Sequence, residues 1–258
     1  MAEQDKVYRY IMWVRHGQRK DHKPDVYPEF VGNPDSPLTP LAYEQGTCVG
    51  QEVARRIASI AEEHGISDYE VSMETSPFTR CLETAYYMAK ELNVSKCSFN
   101  YTMSEFLSTR FFKENPKGSL HTLHKSFEEI SSEFPGMTFE EDKYGRREMF
   151  GAVFPEVAED AFNRFCVGHQ DFVEATKKQT AKLHFCIVVS HGLQQQVIPQ
   201  KYRDHFEKNT CYCALTIAKM DNYGGDECVL ERYEEHMLSQ EKFKDNLFTP
   251  SSTSRNKA

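Results

Sequence analysis

The sequence predicts an α/β protein with a mostly parallel central sheet and helices on both faces of that sheet. Short apolar segments typical of buried strands alternate with longer segments whose apolar residues recur at helical spacing. This alternation favours a parallel sheet, because each helix returns the chain to the edge where the previous strand began. The length of 258 residues and the 39% of hydrophobic residues are sufficient for one large domain with a substantial core.

The first half of the chain contains three predicted strands and two predicted helices. Residues 7–14 are mostly apolar or aromatic and predict a buried strand. The first helix is predicted over 41–63, because Thr39 is a preferred N-cap residue and Pro40 suits the first helical position. A strand, a helix and a third strand are then predicted over 69–74, 78–92 and 97–102.

The region from about 108 to 152 is rich in proline and glycine and interrupts this alternation. We interpret it as an insertion over the active-site end of the sheet that carries substrate specificity. We take residues 1–238 as one domain and expect the polar tail, 239–258, to be disordered.

The second half is expected to complete the sheet. A long helix is predicted over 155–182, and the apolar run that follows predicts a strand over 185–189. A hairpin is predicted around Gly224-Gly225, with strands over 212–220 and 228–233.

Composition excludes several classes of function. The net charge of −8 disfavours nucleic acids and anionic membranes as partners, because both require a basic face. Residues 1–6 are polar, unlike a signal peptide, and no apolar run approaches the length of a membrane span. We therefore expect a cytoplasmic protein whose cysteines are reduced. We interpret Cys211-x-Cys213 as buried free thiols, and the pair formed by His121 and His124 has no evident third ligand, so we expect no metal and no cofactor.

The candidate site begins at residues 15–19, where Arg-His-Gly-Gln-Arg follows the first predicted strand. The arginines offer planar, permanently charged groups for phosphate oxygens, and the glycine permits a close approach of backbone and ligand. Histidine can act as a nucleophile toward phosphorus. The motif is short, so a function depends on whether distant segments supply further groups.

Three more polar segments also follow predicted strands. These are Thr75-Ser76-Pro77 with Arg80, then Glu105, then Ser190-His191-Gly192. The carboxyl ends of parallel strands form the ligand-binding edge of an open α/β sheet, so we expect the four segments to share one pocket. Its side chains would be Arg15, His16, Arg19, Arg80, Glu105 and His191.

This set of side chains suits phosphoryl transfer. The arginines would neutralise a phosphate and the charge that develops on its oxygens. Their field favours the neutral imidazole of His16, which is the form that can attack, while His191 can donate a hydrogen bond to the phosphoryl group. Glu105 could protonate the leaving oxygen and then accept a proton from water, which is worth about 10²–10⁴-fold.

The sequence resembles the histidine phosphatase superfamily, whose fold is also called phosphoglycerate mutase-like. The resemblance is carried by V-R-H-G-Q-R at 14–19, S-P-L-T-P-L-A-Y-E-Q-G at 36–46, T-S-P-F-T-R-C-L-E-T-A at 75–85 and V-S-H-G at 189–192. Ala42 stands where the family usually has glycine, a difference that we attribute to helix packing.

The resemblance implies a role for each residue of the pocket. His16 would be the nucleophile that becomes phosphorylated, and Glu105, after the third strand, would be the proton donor. Arg19 is similar to the second arginine of the Sts/UBASH3-type phosphatase domains and would join the pocket. The phosphate would be bound by Arg15, Arg80 and His191.

The implied activity is that of a phosphomonoesterase with a covalent phosphohistidine, acting on a phosphorylated small molecule or a phosphoprotein. Two alternatives stay open: a phosphoglycerate-type mutase, and a non-catalytic phosphatase-like subunit of a larger assembly. A homodimer is also compatible with the sequence. The loop 21–35 and the insertion would select the substrate, and neither contains a recognisable pattern.

Overall fold

The computed structural model describes most of the predicted domain. The described residues are 7–105, 125–147, 156–194, 211–220 and 228–234. The predicted tail, two parts of the predicted insertion and the turn of the predicted hairpin lie outside these ranges, so the domain boundaries stay predictions.

Within the described residues, seven strands form one sheet. In chain order they are β1 (Tyr8–Arg15), β2 (Glu70–Thr75), β3 (Lys96–Phe99), β4 (Thr138–Glu140), β5 (Leu183–Ser190), β6 (Leu215–Met220) and β7 (Cys228–Glu234). Their order across the sheet is β4-β3-β2-β5-β1-β6-β7. Strands β1 to β5 run parallel, whereas β6 pairs antiparallel with β1, and β7 pairs antiparallel with β6. The predicted mostly parallel sheet is thereby confirmed.

Helices pack on both faces of this sheet, as predicted. They are α1 (Pro40–Glu63), α2 (Thr79–Leu92), α3 (Phe127–Glu133) and α4 (Ala158–Lys177). Alternate residues of β1 point to opposite faces: Met12 shares a core with α1 and α2, whereas Trp13 packs with Phe172 of α4. In the described part of the chain, no helix is both long enough and apolar enough to cross a membrane.

Two predicted elements end too late in the chain. Strand β3 ends at Phe99, and residues 101–103 form a 3₁₀ turn. The chain leaves the sheet there because the Asn100 side chain turns inward and donates to Glu74 (2.8 Å). Helix α4 ends at Lys177, before the predicted residue 182, because the carbonyl of Lys182 already accepts a sheet hydrogen bond from Tyr8 (2.8 Å).

The described part of the predicted insertion, 125–147, extends the sheet at its edge. Helix α3 begins with a capping box, in which Ser126 and Glu129 exchange hydrogen bonds. Strand β4 follows and pairs in parallel with β3. Its Phe139 is part of the main core, so these residues belong to the body of the domain.

The register of the central strands determines where the candidate site forms. Arg15 at the end of β1 pairs with Ser190 at the end of β5, and Thr75 of β2 pairs with Val189. The three strands therefore end at the same level of the sheet. The residues that follow them leave the sheet side by side.

Candidate active site

Two buried histidines meet where β1 and β5 end. The His16 backbone N–H donates to the Ser190 carbonyl (2.9 Å), which extends the strand pairing by one residue. The His16 and His191 rings lie with their centroids 5.3 Å apart at an interplanar angle of 65°. Each residue is 1% exposed. The sequence prediction that these two segments share a pocket is therefore matched by the geometry.

The tautomer of His16 is fixed by its own loop. Its Nδ1 lies 2.7 Å from the Gly17 carbonyl oxygen, which can only accept, so Nδ1 is the protonated nitrogen. Burial lowers the pKa of His16 well below its usual value, and the charges of Arg80 and Arg15 lower it further. The imidazole is thus neutral at pH 7, with the lone pair on Nε2.

Gly17 is required by helix packing. A Cβ atom at this position would lie 2.8 Å from the Cβ of Ala42 in α1, closer than two such carbons can approach. The Gly17 N–H donates to the Thr84 hydroxyl (3.0 Å) in α2. The sequence predicted that Gly17 permits a close approach, and the backbone at Gly17 approaches α1. Ala42 packs there between the loop and the helix, as we expected.

The next residue also ties the loop to α1. The Gln18 N–H donates to the side-chain oxygen of Gln45 (2.9 Å), and the Gln18 side chain accepts from the Thr39 hydroxyl (3.1 Å). Thr39 is the N-cap residue of α1, as predicted, but its hydroxyl makes no capping bond. These contacts fix the backbone of the loop that contains Arg15 and Arg19.

Arg80 is completely buried in the first turn of α2. Its Nη1 donates to the Pro34 carbonyl (3.0 Å), and its guanidinium carbon lies 4.4 Å from the centre of the Phe78 ring. Asp35 accepts from both the backbone N–H (2.7 Å) and the hydroxyl (2.9 Å) of Thr79. The loop before α1 thus fixes both the start of α2 and the direction of Arg80.

Glu105 joins two of the arginines. Arg19 Nη1 lies 3.3 and 3.1 Å from the two carboxylate oxygens, and Arg80 Nη2 forms a short ion pair with Oε2. The other edge of Arg19 binds Asp21 through two hydrogen bonds (2.9 and 2.6 Å). His191 Nδ1 is 3.8 Å from the same carboxylate. All four predicted segments therefore meet.

The arginines control the charge of Glu105. Burial raises the pKa of its carboxyl, but Arg80 and Arg19 outweigh that effect and lower the pKa to about 2. The side chain is therefore an anion at pH 7 in this arrangement. A carboxyl group that is to donate a proton must first lose these partners.

His191 is oriented by Ser76, the residue that follows β2. The Ser76 hydroxyl lies 2.8 Å from His191 Nε2, and the Phe78 ring meets the imidazole edge-on at 5.1 Å. Burial lowers the pKa of His191 well below its usual value, and Arg80 and Arg19 lower it further. A neutral ring that accepts from Ser76 at Nε2 has its N–H at Nδ1, which faces Glu105.

Arg15 packs against the ring of Tyr212, a residue that was not predicted to belong to the site. Its guanidinium carbon is 4.7 Å from the centre of the Tyr212 ring, and that ring lies 6.0 Å from the ring of His16. The Tyr212 hydroxyl forms a short hydrogen bond with His22 Nδ1. Burial lowers the pKa of His22 to about 4, and Arg19 contributes, so His22 is neutral.

One signal in the sequence could have identified Tyr212. It lies just before β6, which runs antiparallel to β1, so the start of β6 lies at the edge where the parallel strands end. We predicted 212–220 as a continuous strand, but residues 212 and 213 form a turn. No comparable signal marks His22, which is placed by a 3₁₀ turn over residues 20–22.

Over the described ranges, no group of three or more His, Cys, Asp or Glu side chains is arranged to hold a metal ion. The pocket thus consists of arginine, imidazole and carboxylate groups at the carboxyl edge of a mostly parallel sheet. Fold and pocket together define an α/β protein with a cationic site built around a neutral, buried histidine. The sequence matches the model of the histidine phosphatase superfamily (branch 1) over residues 11–226, and the chain belongs to this superfamily.

Solved structures confirm the phosphoglycerate mutase-like fold. The ecdysone phosphate phosphatase from Bombix mori, in complex with tungstate, has a TM-score of 0.56 and 21% identity, covering 81% of this chain and 88% of that chain. A phosphoglycerate mutase from Bacillus anthracis str. Sterne has a TM-score of 0.51 and 15% identity, covering 87% and 96%. No curated protein matches the sequence significantly.

Proposed function

We propose that this protein is a phosphomonoesterase that forms a covalent phosphohistidine on His16. The observation that carries the proposal is the state of this imidazole: it is buried and neutral, with Nδ1 bound to the Gly17 carbonyl and the lone pair on Nε2. Membership of the superfamily supports the same chemistry. Three arginines surround the ring and favour an anionic substrate beside it.

The proposed reaction has two displacements at phosphorus. In the first, His16 Nε2 forms a bond to phosphorus and the bond to the ester oxygen breaks, with Glu105 supplying the proton of the departing alcohol. In the second, water attacks phosphorus, Glu105 accepts the proton of that water, and the bond between nitrogen and phosphorus breaks. Arg15, Arg19, Arg80 and His191 hold the phosphoryl oxygens throughout.

Glu105 changes partners when the substrate binds. Its carboxylate lies on Arg19 and Arg80, the same groups that a phosphate dianion requires. A bound phosphoryl group displaces the carboxylate and neutralises the charges that lower its pKa. Burial raises the pKa of Glu105, so release from these two arginines favours the protonated carboxyl when an acid is needed.

Finer assignments rest on the sequence. The phosphorylated small molecule or phosphoprotein substrate and the cytoplasmic location are inferred from composition and motifs. The likeness to the Sts/UBASH3-type domains depends on Arg19, which lies in the pocket between Asp21 and Glu105.

Trapping the intermediate tests the proposal. The full chain is incubated with an aryl phosphate labelled at phosphorus, quenched in alkali and mapped for the modified residue. We expect label on His16 and release of inorganic phosphate. His16→Ala should lose both, whereas His64→Ala, at the end of α1, should keep both. Full activity of His16→Ala, or label elsewhere, would refute the proposal. Phosphoglycerate interconversion without phosphate release would indicate a mutase.

A further inference from the structure

The backbone segment that carries Glu105 is held from behind by one buried arginine. Arg164 of α4 is 4% exposed. Its Nη1 donates to the carbonyls of Thr102 (2.7 Å) and Ser104 (2.9 Å), and its Nη2 reaches the carbonyl of Glu105 (3.5 Å). A single guanidinium therefore fixes three backbone carbonyls within four residues.

Arg164 is itself fixed by a buried carboxylate. Glu156 is 2% exposed, accepts from Arg164 Nε (3.2 Å) and forms a short second bond with Nη2. A buried ion pair costs desolvation free energy and persists only where its remaining hydrogen-bonding groups are satisfied. The carbonyls of Thr102 and Ser104 satisfy the donors of Arg164, so the pair and the backbone segment stabilise each other.

A second side chain holds the same segment. Gln194, which follows β5, donates from Nε2 to the carbonyls of Met103 (3.0 Å) and Ser104 (2.8 Å). Gly168 of α4 allows the segment to approach the helix, since a Cβ there would lie 2.0 Å from the Thr102 hydroxyl. Residues 102–105 are thus bound on the side away from the pocket, while the Glu105 side chain points into it.

We infer that Arg164 is a positioning residue for the proton donor, an inference that rests on the proposed function of Glu105. The carboxyl group has to move from the arginines to the leaving oxygen, and both positions must lie within reach of one backbone position. Arg164 fixes that position. It bonds to backbone carbonyls, so its removal leaves the phosphate-binding side chains in place and displaces the acid.

Leaving groups distinguish positioning from a general structural role. Departure of dinitrophenolate needs no proton, whereas an alkyl alkoxide needs one, so acid displacement slows only the second reaction. For Arg164→Gln we expect kcat/KM for an alkyl phosphate to fall by about 10–100-fold, part of the full contribution of a general acid. Turnover of dinitrophenyl phosphate should stay within about threefold. Arg164→Lys should recover part of the loss.

A double-mutant cycle makes the test specific. In a Glu105→Gln background, Arg164→Gln should cause no further loss with the alkyl phosphate, because both changes remove the same acid. Arg146→Gln is the matched control, since Arg146 pairs with Asp171 of the same helix at the surface and should leave both substrates unaffected. Melting curves identify any variant that fails to fold, in which case Arg164→Lys carries the comparison.

The outcomes separate the two proposals. Equal losses with both substrates, additive losses in the cycle, or no loss at all would overturn the role of Arg164 while leaving the phosphatase assignment intact. Failure of the wild-type protein to hydrolyse either ester would instead refute the proposed function, and with it this inference.

Discussion

The Glu105 carboxylate forms an ion pair with the Arg80 guanidinium, and the two side chains differ in exposure, 26% for Glu105 and 0% for Arg80. Arg80 is held by the Pro34 carbonyl and by the Phe78 ring, so it cannot follow a departing partner. Glu105 reaches solvent and can swing on its backbone. Exchange of the carboxylate for a phosphate therefore moves the glutamate and leaves the arginine in place.

Replacing Glu105 by glutamine should have opposite effects on binding and turnover. A neutral amide competes less well for Arg19 and Arg80, so inorganic phosphate should inhibit Glu105→Gln at severalfold lower concentration. Hydrolysis of an alkyl phosphate should fall by about 10²–10⁴-fold because the acid is missing. Inhibition constants and kcat/KM measure both effects. Glu91→Gln, at the far end of α2, serves as the control, and weaker phosphate inhibition in Glu105→Gln would contradict the exchange.

Anion binding should take up protons. The pKa of Glu105 is about 2 while the arginines hold it, and it rises when an anion displaces the carboxylate. Sulfate is a suitable probe, since it does not titrate between pH 5 and 6. Calorimetry in buffers of different ionisation enthalpy should show proton uptake and tighter binding at lower pH. The uptake should disappear in Glu105→Gln, and its persistence there would assign the proton to another group.

Stability should decrease as the pH falls below about 6.5, the ordinary histidine value. His16 and His191 have strongly lowered pKa values, and those of His22 and His184 are about 4. In this range the unfolded chain binds more protons than the folded one, so unfolding becomes easier. Glu83, Glu74 and Asp142 act in the opposite direction, because burial raises the pKa of each carboxyl (that of Glu83 to about 7), but they are fewer than the four histidines. Urea unfolding at pH 7.5, 6.5 and 5.5 measures the trend, which His16→Asn should weaken.

Arg80 should tolerate no replacement, including lysine. Lysine keeps the charge but cannot bind the Pro34 carbonyl and an anion with one planar group. We expect Arg80→Lys to lower kcat/KM by about 10²–10³-fold, the usual effect of removing a donor to a developing oxyanion. Arg55→Lys, on the exposed surface of α1, is the control. Activity within threefold of the wild type would show that Arg80 does not contact the phosphoryl group.

The Tyr212 ring should matter more than its hydroxyl. Tyr212→Phe keeps the aromatic face that lies 4.7 Å from the Arg15 guanidinium and loses only the bond to His22, so phosphate inhibition should change less than threefold. Tyr212→Leu removes a cation–π contact worth about 2 kcal/mol when desolvated, so Arg15 loses the group that orients it and phosphate should bind about tenfold more weakly. Equal effects of both substitutions would place the contribution in the hydroxyl.

The sequence determined the order of the elements outside the insertion and six side chains of the pocket. Apolar runs specified β1 and β5 because strands buried on both faces require them, and Thr39 with Pro40 marked the start of α1. The polar motifs at 15–19, 75–77 and 190–192 directly follow predicted strands. In a parallel sheet those positions share one edge, so the sequence alone predicts that His16 and His191 lie close together.

The tertiary structure alone decided how the pocket residues are paired and held. Three features of the pocket depend on contacts between distant segments. Glu105 lies against Arg19 and Arg80, Arg164 fixes the backbone of Glu105, and Tyr212 supports Arg15. Such contacts follow from helix packing, from where β3 leaves the sheet and from the direction of β6. Helix packing and the end of β3 leave no local pattern in the chain, because the partners of a buried charge depend on the space that packing leaves around it.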